Sequence, residues 1–115
     1  MTDDEARAFA EDWIAAWNAH DLDRILAHYA ADIVLLSPGA LRRVGTGRVA
    51  GIAALRAYWC QVLAAEPNLK FKFGHVLVGP ECLTIRCNNH RGQEGAETFE
   101  FDADGKVVRL FACFR

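Results

Sequence analysis

The feature that most constrains this chain is a change of period. Between Thr2 and Leu63 the apolar residues recur every three to four positions, whereas from Leu69 to Phe114 they alternate every second position. Helices therefore come first and an antiparallel sheet follows. A chain of 115 residues has sequence for one hydrophobic core, so both halves must bury their apolar faces against each other. The expected class is α+β, a single domain over residues 1–115, with three N-terminal helices packed in the concave face of a curved, mostly antiparallel sheet.

Local signals divide the chain further. Thr2-Asp3-Asp4-Glu5 has capping-box spacing and suits a helix start, after which Phe9, Trp13, Ala16 and Trp17 share one face. Asp21 suits the cap of a second, shorter helix with Leu22, Ile25, Leu26 and Tyr29 as its inward stripe. Asp32 to Ser37 reads as a short strand stopped by Pro38-Gly39, and Ala40 to Gly51 as a loop carrying Arg42, Arg43 and Arg48. Ile52, Leu55, Tyr58, Trp59, Val62 and Leu63 predict a third helix that ends before Pro67. The four strands of a meander then run from Leu69 to the Gly79-Pro80 turn, from Cys82 to His90, from Glu97 to Phe101 and from Val107 to Phe114. Gly92 and Gly95 loosen the chain before the third of these, and Asp104-Gly105 turns it before the fourth.

Composition removes several classes of function. Thirteen basic residues against fifteen acidic ones give a net charge of −2, which speaks against phosphate-driven nucleic-acid binding. No apolar run approaches the length of a membrane span, and the acidic N-terminus lacks a signal-peptide pattern, so a cytoplasmic location is the expectation. Cys60, Cys82, Cys87 and Cys113 form no Cys-x-x-Cys pair, and most sit in apolar runs, which favours buried reduced thiols. His75 and His90 are poorly accompanied by acids, and neither a metal nor a cofactor is expected. The run Gly45-Thr-Gly-Arg-Val-Ala-Gly51 has the wrong spacing for a dinucleotide loop. It reads as a solvated loop by default, or as a lid or positive rim for an acidic ligand.

Four stretches together resemble a known family. Trp13-Ile-Ala-Ala-Trp-Asn-Ala-His-Asp-Leu-Asp23, His28-Tyr29-Ala-Ala-Asp32, Ser37-Pro38 and Gly51-Ile-Ala-Ala-Leu-Arg-Ala-Tyr-Trp59 are similar to the SnoaL-like branch of the nuclear transport factor 2-like superfamily. Phe101-Asp-Ala-Asp-Gly-Lys-Val-Val-Arg109 resembles its closing hairpin. The resemblance implies a cone with an apolar pocket and a homodimer formed through the outer sheet face. It leaves the activity open, because such folds serve isomerases, dehydratases, cyclases, epoxide hydrolases and non-catalytic binders. Steroid isomerases of the superfamily use a Tyr, an Asp base and a protonated Asp, and the positions matching these hold Trp13, Ser37 and Glu97. The Asp-Arg-Asp set of the epoxide hydrolases is matched only by Arg86, with Asn88 and Ala112 in place of the acids.

Glu97 has two readings: a carboxyl in an apolar pocket, whose raised pKa suits acid-base chemistry, or a solvated acid at a strand end. Ser37 either contributes to the site or merely closes the turn before Pro38. Along Cys82 to His90 one face carries Thr84, Arg86, Asn88 and His90; matching to the family turns it inward, so that Arg86 meets Glu97 or a ligand anion. Trp13, Trp17, Tyr29, Trp59, Phe99 and Phe101 are expected to converge on the interior, as ligand box or plain core. His28 and His20 read as surface and helix-end residues. The expected function is binding of a small hydrophobic or aromatic molecule, with isomerase, cyclase or dehydratase chemistry on a cyclic or aromatic substrate. The alternative is a non-catalytic dimerisation or ligand-binding module.

Overall fold

The computed structural model describes residues 1–115. Helix α1 (Asp3–Asn18) starts at the capping box, with Thr2 accepting from the Glu5 amide and Glu5 accepting from the Thr2 amide. It buries Ala6, Ala10, Trp13, Ala16 and Trp17, the face that the spacing predicts. Asp21 caps α2 (Leu22–Leu26), a helix of five residues. Tyr29 does not extend the α2 stripe; it opens strand β1 (Tyr29–Leu36), which is longer than the expected Asp32–Ser37.

The expected loop from Ala40 to Gly51 is instead largely ordered into α3 (Pro38–Val44) and β2 (Arg48–Ala50). Ser37 accepts hydrogen bonds from the amides of Gly39 and Ala40, Pro38 occupies the first turn, and Gly45 ends the helix at a φ of 82°. These are ordinary helix start and stop signals. Arg42 and Arg43 concealed them, because so short a helix presents no apolar period. Helix α4 (Ile52–Ala65) then buries Leu55, Tyr58, Trp59 and Val62.

Strands β3 (Lys72–Gly79), β4 (Cys82–Asn88), β5 (Glu94–Phe101) and β6 (Val107–Phe114) form the expected meander. β1 joins it in parallel with β6, and β2 adds antiparallel to β1, so one six-stranded sheet has the order β2-β1-β6-β5-β4-β3. Irregular register in β1, β3 and β5 bends the sheet around the helices. Gly95 lies inside β5 rather than loosening the chain before it. A Cβ there would come within 2.8 Å of the Phe114 ring, so close packing, not flexibility, explains the glycine. No helix is long and apolar enough to cross a membrane.

The interior is aromatic at one end and open at the other. At the closed end Trp13 donates from Nε1 to the Tyr29 hydroxyl at 3.0 Å, stacks on Phe71 and meets Phe99 edge-on, while Phe9 packs against Phe99 and Phe101. Asn18 ties the start of the sheet to α1 by exchanging two hydrogen bonds with the Phe71 backbone. Of the four thiols only Cys87 is buried, Cys82 is half-buried, and Cys60 and Cys113 are exposed, contrary to the expectation of mostly buried cysteines; all four are free.

Candidate active site

Alternation along β5 turns Gly95, Glu97, Phe99 and Phe101 toward the helices. Glu97 lies opposite Ile85 of β4 and Ala112 of β6 and is 6% exposed, the one charged residue in the buried interior. Its Oε2 has no hydrogen-bond partner within the protein, and burial alone pushes its pKa up to about 8. A carboxyl without compensation in an apolar site holds its proton, because the charged form loses its hydration. The reading of Glu97 as a solvated strand-end acid is therefore corrected.

Glu97 faces a cleft enclosing about 820 Å³, including the solvent at its mouth. Trp17, Trp59, Phe71, Leu35 and Phe114 supply its apolar wall. Trp17 is 4% exposed, meets Trp59 edge-on at 5.0 Å, and its indole N–H also lacks a partner. Of the three buried side-chain atoms without partners, Trp17 Nε1, Glu97 Oε2 and Arg86 Nε, the first two belong to residues that line this cleft, and buried polar atoms of this kind are uncommon in native interiors. Ser37, Gly39 and Tyr58 form a more polar wall where β1 passes into α3. Burial raises the Tyr58 pKa, with the Ser37 hydroxyl and the charges of Arg43 and Arg42 opposing it. At neutral pH the phenol is therefore a hydrogen-bond donor.

The mouth is charged. Glu66, at the end of α4, accepts from Arg43 of α3 at 3.0 Å and from Arg91 of the β4–β5 turn at 2.8 and 2.9 Å, with His90 at 3.4 Å. Burial acts to raise the Glu66 pKa, but the hydrogen bond from Arg43 and the charge of Arg91 outweigh it and hold the carboxyl low. This cluster joins three segments distant in sequence.

Of the residues singled out from sequence, the cleft gathers Glu97, Trp17, Trp59 and Ser37, together with Arg42 and Arg43 from the segment read as a solvated loop or a positive rim. Trp13, Tyr29, Phe99 and Phe101 converge on the interior but belong to the closed aromatic core behind it. The inward orientation of Arg86 is overturned. Leu83, Ile85 and Cys87 are the buried face of β4, so Arg86 lies on the outer face and pairs with Glu94, not Glu97. Asn88 is exposed and donates to the Gly92 carbonyl. The physical reason is alternation: three apolar side chains outcompete a guanidinium for the interior. Phe71, Tyr58, Glu66 and Arg91 were missed as site residues. Tyr58 was visible as part of the α4 stripe, but nothing in the sequence ties Glu66 to Arg91.

The cysteine beside the site is inert. Burial and the Glu97 charge push the Cys87 thiol up to about 12, far from the range of a nucleophile. No three His, Cys, Asp or Glu side chains assemble as metal ligands.

Comparison with known proteins bears on the whole chain. A SnoaL-like protein of unknown function from Burkholderia thailandensis is 36% identical, with a TM-score of 0.95 over 99% of this chain and 97% of that one. A candidate polyketide cyclase from Sinorhizobium meliloti superposes with a TM-score of 0.74 at 18% identity, covering 98% and 100% of the two chains. A protein with a cystatin-like fold from Methylobium petroleophilum gives 0.78 at 16% identity over 99% and 78%. At such identities the latter two show the fold alone. No curated protein matches the chain. The model of the SnoaL-like domain matches residues 10–110, which include every element from the second turn of α1 to the middle of β6, and the chain belongs to the SnoaL-like family.

Proposed function

We propose that the protein binds a small cyclic or aromatic molecule in the Glu97 cleft and moves a proton on it, as an isomerase, cyclase or dehydratase does. The observation that carries this reading is that two residues with unpartnered buried polar atoms, Glu97 and Trp17, line the same cleft. A carboxyl whose pKa lies near 8 exchanges protons readily at neutral pH, either as donor or, once ionised, as a base strengthened by its apolar surroundings. The Trp17 N–H and the Tyr58 hydroxyl are donors suited to a substrate oxygen on which negative charge develops. Trp59, Phe71 and Leu35 limit water around the reacting atoms. In an isomerisation Glu97 takes a proton from one carbon and returns it to another, so no co-reactant is needed.

The test needs no natural substrate. Exchange of solvent deuterium into acidic C–H positions of a panel of cyclic ketones and phenolic compounds is followed by NMR. Wild type is expected to accelerate exchange for at least one compound, and Glu97→Gln to lose that acceleration by about 100-fold or more. Equal rates in the two proteins, or no acceleration with any compound, would overturn the reading.

A second reading is favoured by the other side of the sheet. Leu77, Thr84, Thr98 and Phe111 form one cross-strand row on the outer face, and Leu77 and Phe111 are 55% and 39% exposed. A row with exposed apolar side chains at both ends and two threonines hydrogen-bonded to each other between them suits pairing with a second copy, the role of a non-catalytic dimerisation module. The two readings are compatible, since pairing leaves the cleft open on the opposite face. Light scattering at micromolar concentration is expected to give a dimer that Leu77→Lys together with Phe111→Lys converts to monomer; a monomeric wild type would refute the pairing.

A further inference from the structure

The mouth of the cleft has a charge pattern that the proton-transfer chemistry does not require. Arg42, Arg43 and Arg91 line it, yet Glu66 is the one carboxylate placed among them. Arg43 and Arg91 both spend their hydrogen bonds on Glu66, and Arg42 makes no ion pair. The other carboxyl of the cleft, Glu97, lies within the apolar interior and adds no negative charge while it is protonated. His90 Nε2 lies 3.4 Å from Glu66 Oε2. A surplus of positive charge therefore surrounds the entrance of a protein whose net charge is −2. Arg43 reaches the Tyr58 hydroxyl, and Trp59, Trp17 and Phe71 supply the aromatic wall of the same cleft.

We propose, building on the proton-transfer reading of this cleft, that its ligands are anions with an apolar ring body. A carboxylate or acidic enol stays at the mouth against Arg42 and Arg91, while the ring lies against Trp17 and Trp59 near Glu97. This arrangement fixes orientation: the anionic end is kept from Glu97, whose ionisation it would oppose, and the ring carbons are delivered to it. Glu66 holds Arg43 and Arg91 toward one another across the entrance, so two guanidinium groups from separate segments are in place before a ligand arrives. Arg42, without a partner of its own, is the group most readily redirected to a ligand anion.

Matched acid and amide pairs separate this inference from the reading on which it rests. Cyclohexanecarboxylate with cyclohexanecarboxamide, and 2-naphthoate with 2-naphthamide, are titrated into the full-length protein by calorimetry at neutral pH. The carboxylate of a pair is expected to bind about 10-fold more tightly than its amide, and the advantage is expected to shrink at high salt. Arg42→Gln and Arg91→Gln should each lower carboxylate affinity roughly fivefold and leave amide affinity unchanged. Equal binding of acid and amide would overturn the anion preference while leaving the apolar cleft intact. Preserved carboxylate preference in both variants would overturn the assignment to these arginines. A folded protein that binds neither member of either pair would overturn both the inference and the cleft reading.

Discussion

Two glutamates three positions apart on β5 have opposite fates. Glu94 projects from the outer side, where Arg86 and Arg115 both pair with it, and the Arg115 hydrogen bond and Arg86 charge hold its carboxyl below the usual range. Glu97 projects inward, meets no cation, and is pushed up to about 8 by burial. The same side chain thus becomes a surface ion-pair partner on one face of the sheet and a buried carboxyl without a partner on the other. An odd separation along a strand, here three positions, is enough to put the two side chains in different environments. Chemistry here depends less on the residue type than on which face of the sheet presents it.

The contrast can be broken first at Glu97 itself. The folded protein keeps this carboxyl protonated up to about pH 8, whereas an unfolded chain ionises it near 4.5. Between those values the folded state holds the additional proton, so this group's contribution to stability falls as pH rises and levels off above the folded pKa. Glu97→Gln has no such dependence. Denaturant unfolding of the two proteins at pH 5 and pH 9 is expected to show wild type losing roughly 4 kcal/mol relative to the variant. A difference that stays constant with pH would mean that Glu97 is solvated or paired after all.

A smaller intervention gives Glu97 the partner it lacks. Ala112 is its cross-strand neighbour on β6 and also lines the cleft. Ala112→Asn places an amide donor beside the carboxyl, which favours the charged form and is expected to lower the Glu97 pKa by about one unit. The pH profile of deuterium exchange should shift to lower pH by that amount, and an unmoved profile would argue that Glu97 is not the titrating group. The smallest effect is expected at the other glutamate. Glu94→Gln removes exposed ion pairs, so stability should change little and exchange activity should not change. A large loss of activity in this variant would dissolve the distinction between the two faces.

Much of the fold was legible because its signals are local. The Thr2 box, the Asp21 cap, the α4 stripe and the alternation from Val107 to Phe114 each act over a few residues and appear where expected. Helix α3 was equally local, from its Ser37 cap to Gly45, yet without an apolar stripe it escaped notice. Arg86 is more instructive. The plain alternation of Leu83, Ile85 and Cys87 against Thr84 and Arg86 pointed the guanidinium outward, and matching to family positions reversed it wrongly. At the site, Glu97, Trp17, Trp59 and Ser37 were visible beforehand, while the division of the aromatics between closed core and open cleft was not. Trp13 and Trp17 share a helix face, but only the packing of Tyr29 and Phe99 against one and Trp59 against the other tells them apart.

The sequence by itself determined the order of helices and strands, the aromatic character of the interior, and the family to which the chain belongs. Periodicity and caps are short-range, and a residue's neighbours along the chain are sufficient to specify them. The tertiary structure alone decided that β1 runs parallel to β6, that Glu97 is buried without a partner, and that Arg43, Glu66 and Arg91 meet at one entrance. Such meetings depend on how distant segments close against each other, and on which of two faces a sheet turns toward its helices. No window of neighbouring residues carries that information, because burial and charge pairing are properties of the assembled core.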